Sequence, residues 1–369
     1  MRVGLNATCL NDRPSGAKQR FAGIYGALFS RLSDVDFVIF EPQDCRVAAW
    51  FDGFPNVSAR VTSVPSEGRL GKFTAGVSYW PNAFSRERLD IFEGFHLPLT
   101  RSSNGKTMLT IHDVRGLHSD NGIIDRAVFG TVLRRSLQMA DHVITVSEAM
   151  RTEILNFFPN TPVSVVYNGL DPDGFAYITS ADCEAFRAKY ALPSGFALAI
   201  GHFEKRKNYL RLIDAIAVLK ARSVDCPLLI IGNNSGERKA VEERIAAARL
   251  TGQVTLCTGL TDHEVRCAYK LCSLFVFPSA YEGFGIPILE AMAAQRPMVL
   301  SDLPVFREIT EDHSIYFQHD DVEAIANAVE LGLTGNTQRS SMVEYGNRRV
   351  EYFGFEKLAN QLAAVYERM

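Results

Sequence analysis

Short apolar runs alternate with amphipathic segments along the whole chain, and this alternation predicts an α/β protein with parallel sheets. In the first half, candidate strands lie near residues 3–8, 35–40, 57–64, 90–96, 107–113, 142–147 and 163–171. In the second half, they lie near residues 196–200, 228–231, 254–256 and 274–277. Strands separated by helices are typical of βαβ units. We therefore predict two doubly wound, Rossmann-like domains.

The alternation is interrupted between the two halves of the chain. A turn at Asn168-Gly169 is followed by a stretch to Gly195 that is rich in proline and glycine, as is typical of a linker. We therefore place an N-terminal domain at residues 1–168. A C-terminal domain follows at residues 169–350, with the linker 169–195 included in it.

Composition narrows the class of protein. The chain has 369 residues, 47% apolar and 22% charged, with a net charge of −3, which describes an ordinary globular protein and gives no electrostatic case for nucleic acid. Its seven cysteines are dispersed without a CxxC pair, which favours free thiols over disulfides or a zinc site. No apolar stretch reaches the roughly 18 residues of a spanning helix. We expect a cytoplasmic protein.

The stretch 277–293 carries the strongest indication of chemistry. An apolar strand ends there in a loop with Gly283 and Gly285, and a helix follows. The amide groups at the start of a helix attract an anion such as a pyrophosphate. Glu290, one turn into the helix, is suited to accept hydrogen bonds from ribose hydroxyls, and Glu282 in the loop to face a polyhydroxylated group. These features predict a nucleotide-sugar site; the alternative is a plain turn with both glutamates solvated.

Glu282 and Glu290, with seven residues between them, resemble the signature of the retaining glycosyltransferases of family 4. The resemblance implies the GT-B fold, in which two Rossmann-like domains face a cleft. It also implies that Glu290 holds the ribose and that Glu282 lies beside the donor sugar. Backbone amides of the loop would bind the sugar and the phosphates, at Phe284, Gly285 and Ile286. The last helix, within residues 351–369, is expected to cross back onto the first domain.

Two matches to the same family lie in the N-terminal half. Gly16 occupies the glycine loop after the first strand, and Arg20 stands where members often carry a basic residue near the donor phosphates and the acceptor. The alternative is a surface turn with a solvated Arg20. The pair His112-Asp113 ends a strand, and the resemblance implies that the histidine neighbours the donor sugar. A structural role for His112 is the alternative.

A third match follows the first strand of the C-terminal half. The family keeps an arginine and a lysine in this loop to neutralise the pyrophosphate, and the chain has Arg206 and Lys207 after Gly201. It departs from the family at His202, where members often have an arginine. The expected catalytic residues are therefore His112, Glu282, Arg206 and Lys207. Gly201 joins the expected donor-binding residues.

The reaction implied by the resemblance is transfer of a sugar from a nucleotide diphosphate to an acceptor hydroxyl, with retention at the sugar. No dinucleotide fingerprint or Walker loop is present, and neither Asp-x-Asp triplet is placed to bind a metal. We therefore expect no cofactor and no metal. The alternatives are a GT-B epimerase or hydrolase and a non-catalytic nucleotide-sugar binding protein.

The expected partners follow from the same resemblance. GDP-mannose is the first guess for the donor, by similarity to bacterial enzymes of O-antigen or exopolysaccharide assembly, and UDP-sugars are nearly as well supported. The acceptor is expected to be a glycan or a lipid-linked glycan, with possible peripheral association with the inner face of the membrane. Residues 66–88 mix aromatic and basic side chains without a clear period. We expect a loop there, packed on the core, with contact to acceptor or membrane as the alternative.

Overall fold

The computed structural model describes residues 1–13, 15–118 and 122–369, with the side chains of residues 69–73 and 75–78 excepted. It divides into two compact units. The first unit comprises Met1–Leu170 and Phe353–Met369, and the second comprises Asp171–Tyr352. Pro14, in the predicted glycine loop, lies outside the described residues.

The first unit is built on a seven-stranded parallel sheet with the order β3-β2-β1-β4-β5-β6-β7. Its strands are β1 (Arg2–Asn6), β2 (Asp36–Glu41), β3 (Val57–Val61), β4 (Ile91–Gly94), β5 (Lys106–Ile111), β6 (His142–Thr145) and β7 (Val163–Val165). All seven were predicted from the apolar runs. The central strands are buried on both faces, as expected when helices cover a parallel sheet.

Most connections between successive strands of the first unit contain a helix or a short helical turn. The helices are α1 (Gly16–Arg20), a π-helical segment (Phe21–Tyr25), α2 (Gly26–Arg31), α3 (Arg69–Glu87), α4 (Ile123–Met139) and α5 (Glu148–Phe157), with short 3₁₀ turns at Val47–Phe51 and Arg115–Leu117. Ser147 caps α5 by accepting a hydrogen bond from the backbone N–H of Met150 at 3.0 Å, as its position predicts.

The predicted loop at residues 66–88 is wrong, because most of it is helix α3 despite the internal Pro81. Proline interrupts helical hydrogen bonding, so other interactions must hold this helix. Trp80, Ala83 and Phe84 share one helix face and are buried against Phe92 and its neighbours on the sheet. Burial of two aromatic rings on that face outweighs the local sequence preference.

The second unit has a six-stranded parallel sheet with the order β10-β9-β8-β11-β12-β13. Its strands are β8 (Ala197–Ile200), β9 (Leu228–Ile231), β10 (Val254–Cys257), β11 (Leu274–Phe277), β12 (Met298–Ser301) and β13 (Ile315–Phe317). The first four were predicted. The last two extend the sheet beyond the prediction, which took residues 301–304 only as a turn.

The helices of the second unit cover both faces of this sheet. They are α6 (Ser180–Lys189), α7 (Tyr209–Ala221), α8 (Arg238–Ala247), α9 (Asp262–Leu271), α10 (Ile286–Ala293), α11 (Pro304–Thr310), α12 (Val322–Thr334) and α13 (Asn336–Arg349), with 3₁₀ turns at Pro172–Phe175, Lys205–Lys207 and Val350–Phe353. Leu198, Ile230 and Val276 of the sheet are fully buried, and the unit has an apolar core of its own.

The chain ends in α14 (Phe355–Glu367), which belongs to the first unit. Leu358, Leu362 and Tyr366 recur every four residues on one face and are buried in the core that includes α2. The predicted return of the last helix to the first domain is therefore confirmed, and so is the α/β fold with two Rossmann-like domains.

Candidate functional site

In the second unit, Glu282 is held by three donors on a single oxygen. Its Oε1 lies 2.6 Å from Nζ of Lys207 and 2.8 Å from Nη1 of Arg206. The hydroxyl of Ser279 donates to the same oxygen at 2.8 Å. The predicted Glu282, Arg206 and Lys207 thus form one cluster, which the fold assembles from the loops after β8 and β11.

The charged groups of this cluster interact strongly because they are shielded from water. Lys207 is buried, and its Nζ lies 4.7 Å from the centre of the Phe277 ring. Burial lowers the pKa of Lys207, and the Glu282 charge opposes that change. Burial alone would raise the pKa of Glu282, but Lys207 and Arg206 together bring it below its ordinary value. Glu282 is therefore ionised at neutral pH and neutralises part of the cationic charge.

Gly201 makes room for Lys207. Its φ is +147°, and a Cβ built there would lie 2.6 Å from Cε of Lys207. The hydroxyl of Tyr209 donates to the Gly201 carbonyl at 2.8 Å. The backbone N–H of Ala280 donates to the Arg206 carbonyl at 2.8 Å, which ties the two loops together. The cations are held rigidly as a result.

Glu290 lies on α10 with one oxygen engaged. The hydroxyl of the buried Tyr269 donates to its Oε2 at 2.8 Å, whereas Oε1 has no hydrogen-bond partner among the described residues. Burial raises the pKa of Glu290, and the Tyr269 hydrogen bond opposes this rise. The carboxylate has acceptor capacity left for a ligand hydroxyl.

At Phe284, Gly285 and Ile286, the loop before α10 can contact a ligand only through its backbone. The side chains of Phe284 and Ile286 are buried. Gly285 lies between them, and a Cβ there would lie 3.1 Å from Cδ1 of Ile288. His202 is half-buried, and burial lowers its pKa, so it carries no permanent charge to replace the family's arginine.

Two of the three residues predicted in the first unit lie together. Arg20 is buried, and its Nη1 donates to the carbonyls of Val166 and Tyr167 at 2.8 and 2.6 Å. The alternative of a solvated Arg20 is therefore wrong. Arg20 and His112 line one cavity. Gly16 is instead exposed, as the first residue of α1.

His112 is half-buried and neutral. Burial, and then the nearby charge of Arg20, lower its pKa to about 3. A neutral imidazole both donates and accepts hydrogen bonds, whereas it supplies no charge. His112 is therefore suited to orient a hydroxyl group.

Sequence reasoning missed the residues that hold the predicted ones in place. Ser279 and Tyr269 donate to Glu282 and Glu290, and Tyr209 holds the carbonyl of Gly201. Ser279 is three residues from its partner and could have been found. Tyr209 and Tyr269 occupy buried positions of their helices, and nothing in the local sequence pattern distinguishes them from other core residues.

Several solved structures share the fold of this chain over its whole length. Sucrose-phosphate synthase from Thermosynechococcus elongatus matches 100% of this chain and 98% of its own, with a TM-score of 0.78 and 19% identity. Anabaena Alr3699/HepE in complex with UDP-glucose matches 100% and 99%, with a TM-score of 0.75 and 17% identity. WaaG, a glycosyltransferase involved in lipopolysaccharide biosynthesis, matches 99% of each chain at a TM-score of 0.74 and 16% identity. The fold is that of the GT-B class.

Family models then narrow the class. The model described as Glycosyltransferase Family 4 matches residues 27–173, and the model described as Glycosyl transferases group 1 matches residues 183–349. The chain belongs to the family 4 glycosyltransferases and is an enzyme of that family, as the two glutamates predicted.

Curated relatives are also glycosyltransferases by name. An O-antigen chain mannosyltransferase, RfbU of Salmonella typhimurium, is 26% identical over 314 residues, which cover 81% of this chain and 82% of the relative. O-antigen chain mannosyltransferase B of Escherichia coli is 29% identical over 239 residues, or 64% and 62% of the two chains. The serotype-specific mannosyltransferase WbdA of Escherichia coli is matched over only 29% of its own length.

In the described part of the chain, no helix is both long and apolar enough to span a membrane. Over the same residues, no group of three or more histidine, cysteine, aspartate or glutamate side chains is arranged to hold a metal ion. Independence from metal stays a prediction.

Proposed function

We propose that the chain is a retaining, metal-independent glycosyltransferase that uses a nucleotide-diphosphate sugar as donor. The observation that carries this proposal is the buried cluster in which Lys207 and Arg206 share Oε1 of Glu282. Fixed cations in a site shielded from water stabilise charge that develops on a leaving diphosphate. Arg206, Lys207 and the backbone amides before α10 stabilise the charge on the diphosphate. Glu290 and Gly201 are the remaining residues of the proposed donor site.

Retention is proposed because Glu282 and Glu290 resemble the signature of the retaining family, and same-face attack is proposed over a double displacement because both carboxylates are already engaged. Glu282 is paired with two cations, and Glu290 accepts from Tyr269. In the proposed reaction, the bond between the sugar C1 and the diphosphate oxygen breaks, and an acceptor hydroxyl bonds to C1 on the same face. The diphosphate takes the acceptor proton, so no protein base is needed. Glu282 faces the donor sugar.

Mannose is the proposed sugar, and a mannose-containing glycan or lipid-linked glycan is the proposed acceptor. Support comes from the relatives named as O-antigen chain mannosyltransferases. GDP-mannose is therefore tested first and UDP-glucose second. A role in cell-surface polysaccharide synthesis follows from the same relatives.

The test combines binding and transfer. Labelled GDP-mannose and UDP-glucose are incubated with octyl α-mannopyranoside in EDTA, and the product anomer is read by NMR. We expect transfer from one donor in EDTA, with the configuration kept. An inverted product overturns the retaining mechanism, and activity that needs added manganese overturns metal independence. Release of the sugar only to water would identify a hydrolase. A change in the configuration of the donor sugar would identify an epimerase. Binding of the donor without turnover would identify a binding protein.

We also propose peripheral association with a membrane, through α4. Ile123, Ile124 and Val128 are exposed at 77%, 79% and 58%, and Arg134 and Arg135 follow on exposed positions. Apolar side chains beside arginines are suited to an anionic lipid surface. Co-sedimentation with phosphatidylglycerol vesicles should exceed that with phosphatidylcholine vesicles, and a double change of Ile123 and Ile124 to serine should remove the excess. Equal sedimentation of both proteins would contradict the proposal.

A further inference from the structure

A small cavity in the first unit lies where three neighbouring strands end. It is placed after β1, β4 and β5, which are adjacent in the sheet. Ligands of open α/β sheets bind at such carboxyl ends. Its lining includes Cys9, Ala17, Arg20, Tyr25, Phe95 and His112.

Arg20 lines this cavity and has an unused donor edge. Its Nη1 is fully engaged with the carbonyls of Val166 and Tyr167 and with Oδ1 of Asn168. Nε and Nη2 are buried and have no hydrogen-bond partner. These two groups form one side of the planar guanidinium and donate in parallel, at the spacing of two neighbouring oxygen atoms. A buried donor without a partner costs free energy, so the edge is suited to receive a ligand.

The cavity limits the ligand to a small oxygen-bearing group. It offers about 20 Å³ to the centres of water-sized atoms, enough for one or two such groups. A whole phosphate, with four oxygens, needs more room than that. The cavity is partly open, and four of its lining residues are half-buried, so a larger molecule can insert its edge. These residues are Cys9, Ala17, Phe95 and His112.

The charges favour a neutral ligand over an anion. Arg20 interacts electrostatically with the fully buried Glu93, so it already has a countercharge in the interior. His112 is neutral, and an imidazole in that state exchanges hydrogen bonds with hydroxyl groups in either direction. A hydroxyl group can accept a hydrogen bond from Arg20 and form a second one with His112.

We propose that this cavity is a substrate subsite in which Nε and Nη2 of Arg20 donate to two adjacent hydroxyl groups of a sugar. The inference rests on the proposed transferase function, because it assigns the sugar to the acceptor. Arg20 is then a specificity-determining residue that selects acceptors with a free pair of neighbouring hydroxyls. The three oxygen acceptors on its Nη1 hold the guanidinium in the orientation that binding requires.

Cys9 reports occupancy of the cavity directly. It is the half-buried cysteine of a set in which the other six are buried. Its modification by methyl methanethiosulfonate is followed by peptide mass spectrometry, with the six others as internal controls. The arms are methyl α-mannopyranoside, cyclohexanol and sodium phosphate, each without nucleotide. We expect the mannoside to slow Cys9 modification at least about threefold and saturably, and the other two to leave the rate unchanged.

Ala17→Leu is the matched variant, because it puts a larger side chain into the lining of the cavity and leaves Arg20 and its partners Val166, Tyr167 and Asn168 unsubstituted. We expect it to abolish protection by the mannoside while leaving the thermal shift by GDP or UDP unchanged. Protection by cyclohexanol as well, or none by the mannoside, overturns the subsite. Protection by phosphate alone overturns the sugar assignment in favour of an anion, and protection that survives in Ala17→Leu places the sugar elsewhere. Loss of the nucleotide shift in the wild-type protein would instead count against the proposed function.

Discussion

At the scale of single residues, the proposed donor site depends on which charges are buried and how they are paired. Lys207 is buried and bonded to Glu282, whereas Lys205, two residues earlier in the chain, is exposed. Two lysines in one turn therefore have different environments, and only Lys207 has the fixed position that stabilises a developing charge. This contrast supplies a matched control for its role.

Lys207→Ala should lower turnover by about two to three powers of ten, the range found when one electrostatic donor is deleted. Donor binding in the ground state should change less, because the diphosphate charge grows in the transition state. Lys205→Ala and His202→Ala should retain most activity, since the first is exposed and the second removes a neutral group. Steady-state kinetics with all three variants check this. A nearly normal Lys207→Ala together with an inactive His202→Ala would contradict the family's role for this loop.

If Glu290 binds the ribose as proposed, donor affinity should depend on pH. Its pKa lies above the ordinary 4.5 because of burial, and only the ionised carboxylate accepts two hydroxyl hydrogen bonds. Nucleotide affinity should thus be complete well above that raised pKa and fall as pH decreases through it. Glu290→Ala should weaken binding by about 1.5–3 kcal/mol at neutral pH.

Tyr269→Phe tests the same assignment from the partner's side. The Tyr269 hydroxyl lowers the pKa of Glu290, so its removal should move the loss of affinity to higher pH. Tyr190→Phe, which removes a hydroxyl bonded to Glu264, should leave the profile unchanged. Calorimetric titration with nucleotide from about pH 8 to about pH 5 covers the transition. Identical profiles for both variants and wild type would exclude Glu290 as the titrating ligand.

At the scale of elements, the sequence predicted what is local. Apolar runs located eleven of the strands, and Gly283 with Gly285 located the loop before α10. The strand β13 was not predicted, because its three residues carry little hydrophobic pattern. Helix α3 was not predicted, because its stability comes from the packing of Trp80 and Phe84 on the sheet. In the same way, the bond between Lys207 and Glu282 joins residues 75 apart in the chain, which no local pattern encodes.

The loop after β8 makes a prediction of its own. Gly201→Ala forces a non-glycine residue to φ +147° and places a methyl group 2.6 Å from Cε of Lys207. Backbone strain of this kind costs about 1–3 kcal/mol. Gly252, at φ +88° with open space around it, supplies the control. Both alanine variants should unfold at lower urea concentration, but only Gly201→Ala should also lose turnover. Equal turnover in the two variants would show that Lys207 tolerates the displacement.

At the scale of the whole molecule, the C-terminal helix links the last residues of the chain to the first unit. Its residue Tyr366 is buried, and the hydroxyl donates to Oε2 of Glu93 on β4. The hydroxyl of Thr110 donates to Oε1 of the same carboxylate at 2.5 Å. Glu93 in turn interacts electrostatically with Arg20. The helix therefore holds the buried carboxylate that interacts with Arg20, in addition to covering apolar surface.

Tyr366→Phe should destabilise the first unit by about 1.5–3 kcal/mol at neutral pH, because a buried carboxylate loses one of its donors. Burial raises the pKa of Glu93, and the Tyr366 hydrogen bond opposes this rise, so the variant should raise the pKa further. The loss of stability should be largest where Glu93 is ionised and shrink as pH falls and the carboxyl group becomes protonated. Urea unfolding at about pH 8 and about pH 5 measures both values. Tyr345→Phe, which removes a hydroxyl bonded to Glu311 on an exposed surface, should cost much less. If the two variants lose equal stability at both pH values, Glu93 is not held by the C-terminal helix as described.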